Sequence, residues 1–403
     1  MDQLNCFFNS ANSLLSDPDF AIQHVLSPNA FTRKRCLTLR NTWWCLMAHG
    51  SSSLQSEVPL FRLKFENEFT DFSPQAFSKA RNKMNFTVCK ELFEMSSKQL
   101  GLNKTFKGYN LAAIDGSKIL PPDTDEIRNA LGTCGNHIST RAGGLISLLY
   151  DPLSDHIING MLTHINESER KCLIDLIEQS DLNNTILILD RGYPGKDIYR
   201  FLDSHNIKYV IRVGNGTSTP RYIKDSKLPD QIVTDYKNKD ITQRVIRLPL
   251  SDNTEEILVT NIFDESFSVS DFKTIYHFRW PIETKYDELK NKFTLEKFTG
   301  KSLNSVYQDF YNALTKANII AYIRMKAKDA VKTSGYPKKI SIQSSIKMFI
   351  YFIPMLLRDA INRVSYIEQM INLLKRLLIP IRNNRSYSRK KKHTDRKYRN
   401  NLK

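Results

Sequence analysis

The chain has 403 residues, with 59 Lys and Arg against 42 Asp and Glu, a net charge of +17. This length allows two or three domains and a sizeable core, and 41% apolar residues fit a globular protein. The cationic excess points to a polyanionic partner, either nucleic acid or an anionic membrane surface. A bilayer span is excluded, because the longest apolar run, Met348 to Leu357, has ten residues and a proline. The opening stretch carries an acid at position 2 and no compact apolar segment, so no signal peptide is expected. Six cysteines without a C-x-x-C pair read as free thiols in a reducing compartment.

Residues 1 to about 105 carry helical periodicity and no strand alternation. Ser73-Pro74 reads as an N-cap followed by proline at the first helical position. The stretch QAFSKARNKMNFTVCKELF behind it mixes apolar and basic residues like an amphipathic helix, which would either contact DNA or present a solvated face. From about 108 the period changes. LAAIDGSKI, GGLISLLYDP and HIINGMLTH read as strands, and Glu167 to Gln179 as a helix. TILILDRGY is then a buried strand, PGKDIYRFLDSHN a helix and KYVIRV a strand. Residues 106–213 thus form the first part of an α/β core. In 214–268, QRVIRLPL and EEILVTNIF alternate like strands, so a β-rich insertion is expected there. The core resumes over 269–330, and 331–403 is helical before a basic tail. That tail, Arg382 to Lys403, holds ten Lys or Arg and one acid. It is either solvated or a non-specific phosphate binder. Cys134 and His137 make only an incomplete metal pair, and a plain loop is expected there.

The chemistry concentrates in IYHFRWPIETKYDELKNKF. Tyr276, Arg279, Glu283 and Lys290 lie at offsets 0, 3, 7 and 14, which at 100° per residue fall within about 60° on a helix. Pro281 interrupts that helix, so the estimate is secure only for Glu283 and Lys290. A second stripe, Ile275, Phe278, Ile282, Tyr286, Leu289 and Phe293, has core-facing spacing. Asp115 interrupts one apolar strand and Asp190 closes another. Each alone would often cap a turn, but carboxylates on neighbouring strands also suit Mg²⁺, which takes one or two of them plus water and phosphate oxygens. With Glu283 they would suit two ions roughly 3.5–4 Å apart in phosphoryl transfer.

The pattern Tyr276-x2-Arg279-x3-Glu283-x6-Lys290 resembles the Tyr-Arg-Glu-Lys signature of bacterial insertion-sequence transposases of family four. Asp115 in IDGS and Asp190 in LDRGY resemble the first two acids of that family's DDE triad. The resemblance covers roughly 108 to 300. It implies a ribonuclease-H-like catalytic core with a β-rich insertion, flanked by helical regions, the N-terminal one reading DNA ends. It implies cut-and-paste transposition through hydrolysis, a hairpin intermediate and strand transfer. Asp115, Asp190 and Glu283 would hold two Mg²⁺ ions, for which Mn²⁺ would substitute. Tyr276, Arg279 and Lys290 would contact DNA, and Arg191 and Lys118 beside the two aspartates are added phosphate contacts. The implied partners are double-stranded DNA, as transposon ends and target, and a second copy in a synaptic homodimer, in the bacterial cytoplasm. The insertion lacks the tryptophan on which some relatives stack a flipped base. Trp280 is expected to be core packing. The rival readings are a nuclease of the same fold that does not join strands and an inactive DNA-binding derivative.

Overall fold

The computed structural model describes residues 3–32, 36–50, 52–65, 71–135, 139–214, 216, 219–250, 254–293, 295–329 and 338–381. Six helices come first: α1 (Gln3–Ser16), α2 (Pro18–Gln23), α3 (Leu39–Ala48), α4 (Leu54–Lys64), α5 (Pro74–Lys83) and α6 (Thr87–Leu100). Then follow β1 (Asn110–Ile119), α7 (Asp125–Leu131), β2 (Thr133–Gly135), β3 (Thr140–Ala142), β4 (Gly144–Asp151), β5 (His156–His164) and α8 (Glu169–Glu178). Next are β6 (Thr185–Leu189), α9 (Lys196–Ser204), β7 (Lys208–Val213), α10 (Arg221–Asp225), β8 (Asp230–Thr234), β9 (Thr242–Pro249) and β10 (Glu255–Thr260). The chain ends with α11 (Val269–His277), α12 (Pro281–Asp287), a π-helical turn (Glu288–Lys292), α13 (Leu303–Asp329), β11 (Lys338–Ile340), α14 (Ile342–Arg358), α15 (Arg363–Leu374) and β12 (Leu378–Pro380). No described helix is long and apolar enough to cross a membrane. All six cysteines are free thiols. The basic tail and His137 lie outside the described residues.

The backbone separates into two compact units. The first comprises 1–101, 119–143 and 288–403; the second comprises 102–118 and 144–287. In the first, α13 runs 27 residues and is buried nearly all round, as a helix at the centre of a bundle must be. Its Asn312 accepts from the Trp43 indole at 3.0 Å. The Ser73 hydroxyl caps α5 by accepting from Ala76 N at 3.1 Å. The basic amphipathic stretch behind it is two helices, broken between Lys83 and Thr87. Arg81 there is not a surface cation. It is buried and donates to Gln308, Thr299, Asp309 and the Ser305 carbonyl.

The second unit is built on one eight-stranded sheet, ordered β5-β4-β1-β6-β7-β10-β9-β8. Strands β1, β6 and β7 run parallel, and β4 and β5 form an antiparallel pair. Every residue of β6 is buried, the pattern of a parallel strand covered on both faces. Leu173, Leu176 and Ile177 of α8 and Ile198, Tyr199 and Leu202 of α9 pack with Leu187 and Leu189 in one core. The β-rich stretch after 214 adds its three strands antiparallel to the edge of this same sheet, through β10 on β7. The register of β1 on β6 pairs Ala113 with Ile188. Asp115 stands two residues further along β1 and Asp190 one residue past the end of β6, so the register brings both acids to the same region of neighbouring strands. Carboxyl ends of parallel strands are where open α/β sheets bind ligands.

Candidate active site

The stretch bearing the signature is not one helix. A capping box starts α11: the Ser268 hydroxyl accepts from Asp271 N at 3.2 Å, and the Asp271 carboxylate accepts from Ser268 N at 2.8 Å. The helix ends at His277, and Pro281 opens α12, where its missing N–H is harmless. At Glu288 the backbone changes to a π turn. A uniform 100° per residue therefore fails on both sides of Glu283, and the single-helix stripe is replaced by a tertiary convergence. The break at 278–280 turns Arg279 back toward the sheet.

The convergence centres on Asp190. The Tyr276 hydroxyl donates to its Oδ1 at 3.1 Å. Arg279 Nη1 stands 4.0 Å from its Oδ2, while Arg279 Nη2 donates to Glu283 Oε1 at 2.7 Å. The guanidinium is buried, though Asp190 and Glu283 keep side-chain exposures of 33% and 43%, leaving the acids open to a ligand. Burial works against the Arg279 charge, but the Glu283 hydrogen bond and the Asp190 charge outweigh it and raise its pKa. Tyr276 ionisation is opposed by burial and then by Asp190, so its hydroxyl stays a donor. Asp115 accepts from Gly116 N at 2.9 Å. Burial pushes its carboxyl up to about 6; the Gly116 bond and the Arg279 charge oppose this, and Glu169 and Glu283 add to it.

Two anchors for α12 escape a reading of the sequence alone. The Tyr286 hydroxyl, buried three residues after Glu283, accepts from Leu148 N at 3.2 Å and donates to the Asp115 carbonyl. One oxygen thus ties the helix of the third acid to the backbone of the first. Lys285 pairs with Asp155 at 2.6 Å over the Tyr150 ring and fixes the same helix to the β4–β5 hairpin. Core-type spacing marked Tyr286 as buried, but nothing in the spacing marks where its hydroxyl goes.

The remaining candidates are placed as follows. Lys118 is exposed on β1, and its parity puts it on the strand face opposite Asp115. Arg191 is exposed in the turn after Asp190. Lys290 lies on the π turn and belongs to the first unit. Trp280 is not core: it is 44% exposed, with the Arg279 guanidinium 4.4 Å from its ring centroid. Among the described residues, no three carboxylate, imidazole or thiolate groups form a ready-made cation cage.

Fold and site together define an α/β protein with one acid on β1, a second just past the end of the parallel strand β6 and a third on α12. The family model described as Transposase DDE domain matches residues 107–319, and the chain belongs to that family. All eight candidate residues fall within the match. The chain is 23% identical to the transposase InsG for insertion sequence element IS4 of Escherichia coli K12, over 95% of this chain and 91% of that protein. It is also similar to a piggyBac transposase in a cryo-EM structure of its synaptic complex with hairpin DNA. That match has 12% identity and a TM-score of 0.49, covering 92% of this chain and 79% of that one. Membership among the insertion-sequence transposases, expected from the Tyr-Arg-Glu-Lys signature, holds.

Proposed function

We propose that this chain moves an insertion sequence by cut-and-paste transposition, using metal-dependent phosphodiester hydrolysis, hairpin formation and strand transfer. One observation carries the reading: Tyr276 and Arg279 both reach Asp190, and the same guanidinium holds Glu283. Two of the four signature residues thereby meet the second acid of the triad, and a third, Glu283, is joined to it through Arg279. The strand order β5-β4-β1-β6-β7 supports a ribonuclease-H-like core.

The donor set fits a hard divalent cation. Asp115, Asp190 and Glu283 offer carboxylate oxygens only, and three acids against Arg279 leave an excess of negative charge. Mg²⁺ needs only one or two carboxylates beside water and phosphate oxygens, so a preformed three-residue cage is not required. Asp115, Asp190 and Glu283 would hold two such ions, Mg²⁺ or Mn²⁺. Bound there, the ions would activate the attacking oxygen and stabilise the leaving one.

The chain's own groups divide the remaining work. Tyr276 orients the Asp190 carboxylate through its hydroxyl. Arg279 neutralises Asp190 and Glu283, and its planar fork suits a phosphate in bidentate fashion. Tyr286 and Lys285 hold α12, and with it Glu283, against β1 and the β4–β5 hairpin. Lys290, Arg191 and Lys118 would contact the DNA backbone. The helical region 1–105 would read the element's ends. The segment from 331 with its tail would support a homodimer that synapses two ends.

The test is incubation of the purified chain with its own element's terminal DNA and Mg²⁺, with products resolved on a sequencing gel. The expected products are a nick at the element's end, a hairpin and strand-transfer joints. Cutting without hairpins or joints would make the chain a nuclease. No cutting at all would make it an inactive DNA-binding derivative.

A further inference from the structure

Glu169 stands beside the first acid and belongs to no part of the signature. It is the first residue of α8, and its carboxylate lies over the backbone of Gly116, next to Asp115. A Cβ placed on Gly116 would meet Glu169 Oε1 and Cδ, each at 3.1 Å. The IDGS strand therefore leaves open, through its glycine, the space that this carboxylate fills. The two cations that follow Glu169 in sequence are engaged elsewhere. Arg170 donates to the Pro194 carbonyl and faces Asp197 at 4.0 Å, and Lys171 pairs with Glu167 at 3.1 Å. Among the described residues no hydrogen bond or ion pair holds the Glu169 carboxylate.

A second sign comes from a neighbouring tyrosine. The Tyr193 hydroxyl is buried, its residue 2% exposed, yet it has no hydrogen-bond partner. After burial itself, the groups opposing its ionisation include Glu169, Asp115 and Asp190. A buried hydroxyl without a partner is costly and uncommon in folded proteins, and a water or ion is a frequent reason for one.

We propose that Glu169 is a fourth carboxylate of the site, which together with Asp115 holds one divalent cation whose water shell reaches the Tyr193 hydroxyl. Two carboxylates with the remaining positions filled by water and phosphate oxygens is an ordinary Mg²⁺ or Mn²⁺ arrangement. A simpler role for Glu169 is an acid stabilised at a helix N-terminus. That role needs neither the opening at Gly116 nor the orphaned Tyr193 hydroxyl. The proposal rests on the reading of Asp115 as a metal ligand.

Calorimetric titration of the full chain with Mn²⁺, without DNA, tests it. The variants are Glu169→Gln, Glu169→Asp and Asp115→Asn, with Glu178→Gln at the far end of α8 as control. Glu169→Gln and Glu169→Asp should both weaken Mn²⁺ binding by about tenfold or more, the scale set by loss of a group at a metal centre. Their metal-free melting temperatures should match the parent, and Glu178→Gln should bind as the parent does. Glu169→Asp keeps the charge at the helix terminus but shortens the reach, so normal binding by this variant would leave only the helix-terminus role. If both Glu169 variants bind normally while Asp115→Asn does not, Glu169 is no ligand and the proposal fails alone. If Asp115→Asn also binds normally, the metal site itself fails and takes the proposal with it.

Discussion

Replacing Tyr286 with Phe removes one oxygen and little volume. That oxygen accepts from Leu148 N and donates to the Asp115 carbonyl, and Tyr286 itself is only 5% exposed to solvent. Phe restores neither bond, and the buried amide of Leu148 is left unpaired at a cost of about 1–3 kcal/mol. The penalty falls on the β4–α12 contact, so it should appear as local opening ahead of global unfolding. At about 1.4 kcal/mol per decade, exchange of the Leu148 amide should quicken roughly 5- to 140-fold. Hydrogen-exchange mass spectrometry over peptides of β4 and α12, with β9 as an internal reference, reads this directly. Nicking should fall by more than tenfold, because Glu283 rides on the loosened helix. Unchanged protection in β4 and α12 would refute the latch, and unchanged nicking would refute its bearing on chemistry.

Asp115 gives a pH prediction. Burial lifts its carboxyl from an ordinary 3.8 to about 6, so between those values the folded chain binds a proton that the unfolded chain releases. Stability from this group is complete below about 3.8 and is lost as pH rises to about 6. In EDTA, Asp115→Asn should therefore gain on the parent between pH 4 and 7, by up to about 3 kcal/mol; parallel melting-temperature curves would contradict this. Arg81→Ala should lower the melting temperature sharply, since it strands Asp309 and Gln308 at a cost of about 3–5 kcal/mol, and Arg81→Lys should recover less than half of the loss. Arg279→Lys should fold but nick roughly 10²-fold more slowly, because a single ammonium cannot hold Glu283, face Asp190 and stack on Trp280 together. Nicking at the parent rate would show the guanidinium fork to be dispensable.

The two aspartates were legible because each stands in or at the end of an apolar run, and their strands fall where alternation and turn residues put them. Their adjacency was not legible. It comes from parallel pairing of β1 with β6 across some seventy intervening residues, which no local pattern reports. Glu283 emerged from a spaced motif, and the break at Pro281 was legible, but the helical continuity from Glu283 to Lys290 was not kept, because a π turn follows Asp287. Residues acting through tertiary contacts stayed hidden. Tyr286 is indistinguishable from a core aromatic by spacing, and Glu169 from an ordinary first-turn acid. Arg81 reads as a surface cation until α13 packs over it. Trp280 reads as core, because its hydrophobicity was weighed without the break that exposes it. The strands after 214 were visible, but their joining the sheet edge depends on β10 pairing with β7.

The central claim is that Asp115, Asp190 and Glu283 act as one metal-dependent site on DNA. The most direct measurement is the rate of Mg²⁺-dependent nicking at the element's own terminal DNA by the parent, Asp115→Asn, Asp190→Asn and Glu283→Gln. Each variant should be folded by circular dichroism, should still retard the DNA on a gel, and should nick at least about 10³-fold more slowly than the parent. A folded variant that cuts at the parent rate would remove that acid from the site and contradict the account.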